Sequence, residues 1–84
     1  MVQRRITSPG FRDERYKEVI KHLKLRRQEL GLSQQVLADR LGLHKQFISR
    51  VELGERRLDF IEFTDLVRAL EIDPAILVAG FPKV

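Results

Sequence analysis

The 84-residue chain has no cysteine. It therefore has neither a disulfide framework nor a cysteine-containing zinc site, and its chemistry suits a reducing cytosol. Its two histidines, His22 and His44, lie too far apart to form a paired ligand motif. No metal and no cofactor are expected. No apolar run approaches the roughly 20 residues that a membrane-spanning helix needs, so no membrane association is expected. The first ten residues, MVQRRITSPG, carry two arginines with no apolar run behind them and are not expected to act as a secretory signal. There is no glycine-rich phosphate loop, no HExxH, no nucleophile with a plausible base and no carboxylate pair at catalytic spacing, so no enzyme is expected.

The length suits one domain, and the hydrophobic content of 43% is ordinary for a globular protein. The net charge of +4 is unevenly spread. Residues 1–27 hold nine Lys/Arg against three Asp/Glu, residues 28–57 five against four, and residues 58–84 two against five. The basic third suits a phosphate backbone or is simply a solvated face, and the acidic third points elsewhere. Residues 1–15 contain Pro9 and Gly10 without sustained periodicity and read as a flexible basic arm. Arg4 and Arg5 in that arm suit a minor groove or phosphates, and Phe11 suits the domain edge.

From residue 16 to about 80 the chain reads as five helices, an all-α class. Tyr16, Val19, Ile20, Leu23 and Leu30 form a helical stripe closed by Gly31. Ser33 can cap a second helix in which Val36, Leu37 and Leu41 recur at helical spacing, and Gly42 ends it. One residue later a third helix begins, about His44 to Leu53. Its Ile48 and Val51 point inward, and Lys45, Gln46, Ser49 and Arg50 fall on the wet face. Gly54 stops it. Asp59 and Glu62 have capping-box spacing for a fourth helix with Phe63, Leu66, Val67 and Leu70 inside. Asp73-Pro74 starts a short fifth, Ala75 to Ala79, with Gly80 at its end.

A helix, a tight turn and a second helix of this size can place the second helix in the major groove of B-DNA. Lys and Arg there donate to guanine, Gln matches adenine and Ser serves either. The segments LRRQELGLSQQVLADRLG (25–42), LHKQFISRVELGERR (43–57) and DLVRALEIDP (65–74) resemble the phage repressor and Cro family of Xre-type helix-turn-helix domains. The resemblance covers roughly residues 16 to 80. It implies a five-helix repressor-like bundle that binds double-stranded DNA, represses transcription and works in the cytoplasm.

The resemblance also implies roles for single residues. Arg27 and Glu52 would pair and pin the first helix to the third. Ala38 would be the small residue at a close helix crossing. Lys45, Gln46, Ser49 and Arg50 match the base-reading positions. Gln34, His44, Arg56 and Arg57 match phosphate-contacting positions. His44 departs from the usual Ser or Thr cap, and its alternatives are a phosphate neighbour or a plain surface residue. Phe47 sits between contact positions and can either meet a thymine methyl or tuck against a neighbouring helix. Family members usually dimerise on a palindromic operator, and Ile76, Leu77 and Phe81 are the expected homodimer contacts. An antitoxin that binds a toxin partner and its own promoter is a second reading, and RNA or coactivator binding a third.

Overall fold

The computed structural model describes residues 13–81, which form five α-helices: α1 (Glu14–Glu29), α2 (Gln34–Leu41), α3 (Lys45–Glu52), α4 (Phe60–Ala69) and α5 (Pro74–Val78). Four of them begin where a short polar residue satisfies a free backbone N–H. Asp13 accepts from Arg15 N–H at 2.8 Å, Ser33 from Val36 N–H at 3.0 Å, Asp59 from Glu62 N–H at 2.7 Å and Asp73 from Ala75 N–H at 3.0 Å. The capping box at Asp59 is complete, because the Glu62 carboxylate accepts from Asp59 N–H in return. Only α3 starts without a side-chain cap: His44 occupies the place and makes no such bond.

The helix ends follow an equally local logic. Gly42 adopts φ 67° and turns the chain between α2 and α3 in three residues. Past α4 the same left-handed bend falls on Glu71, at φ 57°, where glycine would be at ease.

One core joins all five helices. Val19, Ile20 and Leu23 from α1 meet Leu37 and Ala38 from α2, Ile48 and Val51 from α3, Leu66, Val67 and Leu70 from the end of α4, and Leu77 from α5. Ala38 has no exposed surface, so α2 and its neighbours approach to the limit a methyl side chain permits.

The structure departs from the sequence reading in three places. Of the two starts the sequence allows for the first helix, about Asp13 or Tyr16, α1 takes the earlier, so the arm does not reach residue 15; Arg4, Arg5 and Phe11 lie outside the described residues. Val36 is 42% exposed, because α2 turns only Leu37 and Ala38 fully inward. In α5 a helix of one turn offers one inward position, and Leu77 takes it, at 7% exposure. Leu77 is thus part of this chain's own core and not surface for a second copy. Ile76 is exposed and Phe81 packs half-buried on the core edge, beneath the Arg15 guanidinium. Among the described residues no helix is long and apolar enough to cross a membrane, and no His/Cys/Asp/Glu group could hold a metal ion.

Candidate nucleic-acid interface

The α2–α3 turn is closed by backbone bonds from Gly42 N–H to Asp39 O at 3.2 Å and from Leu43 N–H to Ala38 O at 2.9 Å. These bonds satisfy carbonyls that the end of α2 leaves open and fix the angle at which α3 departs. Ile48 and Val51 then bury one side of α3. Lys45, Gln46 and Arg50 are fully on the surface, with Ser49 half-exposed beside them. All four expected base-reading positions therefore share an accessible face. The Arg50 guanidinium reaches only the exposed Glu55 carboxylate, at 4.0 Å. Such a solvent-facing pair holds a side chain weakly.

The other end of α3 is anchored. Glu52 is almost wholly buried, and its carboxylate accepts from Arg27 Nε at 2.6 Å and Arg27 Nη2 at 3.0 Å. Arg27 spends its remaining terminal nitrogen on Leu32 O, at 2.7 Å. The bidentate geometry is the one in which a guanidinium and a carboxylate match best. Gln34, at the start of α2, donates through Nε2 to Glu52 Oε1 at 2.8 Å. One carboxylate on α3 thereby gathers the end of α1 and the start of α2. The Arg27–Glu52 pair is where the resemblance implies it should be.

The Gln34 bond to Glu52 was not legible in the sequence, since its partners lie 18 residues apart and on different helices. It uses one of the two amide hydrogens and leaves the other for a ligand. His44 is exposed at the start of α3, where it gives the first turn no side-chain bond and Phe47 N–H turns back to its carbonyl at 2.9 Å.

Beyond α3 the expected phosphate contacts divide. Arg57 is exposed in the loop. Arg56 is engaged within the chain: Nη2 donates to Glu62 Oε2 at 2.7 Å and Nη1 to Glu62 Oε1 at 3.2 Å, and Nη1 also meets Arg57 O. Its guanidinium carbon stands 4.8 Å from the centre of the Phe47 ring. Phe47 itself packs half-buried against the core. The loop is further held by Tyr16, whose hydroxyl accepts from Leu58 N–H at 3.0 Å.

A groove of about 380 Å³ runs beside α1, lined by Lys17, Lys21 and Lys24 and by Glu52, Leu53 and Gly54 at the end of α3. The lysines recur at helical spacing, so the basic character of the first third becomes one stripe next to the loop. That spacing was the available sequence signal.

A family model described as Helix-turn-helix matches residues 23–77. A solved structure titled as an XRE-family like protein from Pseudomonas syringae pv. tomato str. DC3000 is similar to this chain, at a TM-score of 0.73 and 41% sequence identity. The match covers 79% of this chain and 80% of that one. A search of curated proteins found no match.

Proposed function

This chain belongs to the XRE family of helix-turn-helix proteins, and from that premise we propose that it is a transcriptional repressor that reads a palindromic DNA operator as a homodimer. The observation that carries this reading is the state of α3. Its Lys45, Gln46, Ser49 and Arg50 face is open to a ligand, while Glu52 locks the same helix to α1 and α2. An exposed polar face on a fixed helix is what direct reading of base edges demands.

Lys45 and Arg50 are assigned to guanine edges, Gln46 to an adenine edge, and Ser49 to whichever base lies beside it. Gln34, His44 and Arg57 are assigned to phosphates, which fix docking without reading sequence. The free N–H groups at the starts of α2 and α3 support the first two assignments. Activity would be exercised in the cytoplasm, on DNA.

The dimer assignment rests on exposed apolar side chains. Phe60 and Ile61 of α4 and Ile76 and Val78 of α5 are each at least half exposed. Phe60 and Val78 also line a largely apolar cleft of about 460 Å³, together with Tyr16, Leu58, Phe63 and Phe81. Exposed apolar surface of this kind supports a protein partner. We assign it to a second copy of the chain, and a toxin-type partner is the competing occupant.

Selection from a random duplex library tests the proposal. The expected result is a palindromic site whose affinity falls with salt and whose base preference relaxes at one position per half-site in Arg50→Ala. Absence of any enriched sequence would overturn it.

A further inference from the structure

Arg56, Glu62 and Phe47 form a cluster that phosphate binding does not explain. Arg56 lies in the loop where a basic residue would ordinarily serve the DNA backbone. Here both terminal nitrogens of its fork are engaged with the Glu62 carboxylate. That carboxylate is not free to leave, because it also accepts Asp59 N–H at 2.9 Å as half of the α4 capping box. A phosphate at this point would have to compete with a bidentate carboxylate while facing its negative charge. The guanidinium plane is instead spent on Phe47, 4.8 Å from the ring centre. Phe47 rests on the core on one side and carries Arg56 on another. It sits in the first turn of α3, one residue from Gln46 and three from Arg50. Phe47 stays partly exposed, in the same turn of α3 as Lys45 and Gln46.

We propose that Phe47 is a specificity-determining residue that reads the 5-methyl group of a thymine, and that Arg56, anchored by Glu62, is the positioning residue that holds the ring for it. Aromatic contact with a thymine methyl is one of the apolar ways a protein reads the major groove. A ring free to rotate about χ1 would leave the groove for the core; one covered by a guanidinium tied to α4 keeps its place. This inference rests on α3 being the helix that enters the groove.

The test uses the full chain and the duplex recovered by selection, in which each thymine is replaced in turn by deoxyuridine. For the wild type, one thymine per half-site should respond, binding about fourfold more weakly when its methyl is removed, the factor that burial of one methyl-sized group gives. Phe47→Ala should be indifferent to the same replacement. Arg56→Gln and Arg56→Lys should both lose the discrimination, because lysine keeps the charge but neither the fork nor the stacking plane. Neither should change the slope of log affinity against log salt.

Should Phe47→Ala fail to fold by circular dichroism, the two Arg56 variants decide alone. The proposal is overturned if no thymine methyl matters to the wild type. It is equally overturned if Arg56→Gln lowers the salt slope by about 0.9 and Arg56→Lys restores it, which is the signature of one phosphate contact. Failure to select any duplex would remove the recognition-helix reading itself. A selected duplex that ignores methyl removal removes only this inference.

Discussion

Glu71 holds the one left-handed backbone among the described non-glycine residues, at φ 57°. For an L-residue with a Cβ this conformation costs about 1–2 kcal/mol. Part of that is offset by the greater chain entropy glycine would lose on folding. Its carboxylate gains little in exchange, since it is exposed and its contact with Arg26 is 4.0 Å. Glu71→Gly should therefore stabilise the domain by about 0.5–1 kcal/mol, raising Tm by several degrees in a thermal melt. The opposite sign belongs to Glu52→Ala. It strands the buried Arg27 guanidinium and removes the acceptor of Gln34, and breaking such a buried pair costs about 3–5 kcal/mol. Urea denaturation should read that loss as a lower midpoint. An apolar replacement of both Arg27 and Glu52 should recover only part of it, because Leu32 O and Gln34 Nε2 would still lack partners.

At the scale of elements, starts and stops were legible in the sequence because they are local. Ser33, Asp59 with Glu62, Asp73-Pro74 and Gly42 each act within four residues, and all four appear in the structure as read. The core faces of α1, α3 and α4 followed from spacing alone. What periodicity could not settle was the split between neighbours on a short helix. Val36 shares the helical spacing of Leu37 and Leu41 yet stays exposed, and Leu77, expected at a dimer contact because α5 is apolar all round, packs inside. Arg56 escaped for a different reason: its partners, Phe47 and Glu62, lie nine and six residues away on separate helices, and no regular pattern links them.

The weakest start is that of α3, where His44 leaves the first turn without a side-chain bond. His44→Ser should supply it and stabilise the domain by about 1 kcal/mol, measurable as a higher unfolding midpoint. If His44 also serves a phosphate, the variant should bind DNA more weakly while being more stable.

At the scale of the whole molecule, charge and apolar surface separate. Lys17, Lys21 and Lys24 gather beside the end of α3, whereas Phe60, Ile61, Ile76 and Val78 gather on α4 and α5. The first surface suits nucleic acid and the second a protein. Ile76→Glu changes a residue that is 68% exposed, so the fold should be untouched. Sedimentation should then show a monomer, where the second-copy assignment expects a dimer for the wild type. Operator affinity should fall because the two half-sites are no longer engaged by one particle. A wild type that sediments as a monomer on its own would sink the second-copy assignment.

The anchoring of Glu52 has a kinetic consequence. Since α1, α2 and α3 are held together within the chain, docking on DNA as proposed would not wait for α3 to fold or swing into place. Little ordering entropy remains to be lost at the end of α3. The encounter rate is then governed by orientation and by the field of the basic side chains. Raising the ionic strength should slow arrival, while errors in the base sequence should chiefly hasten departure.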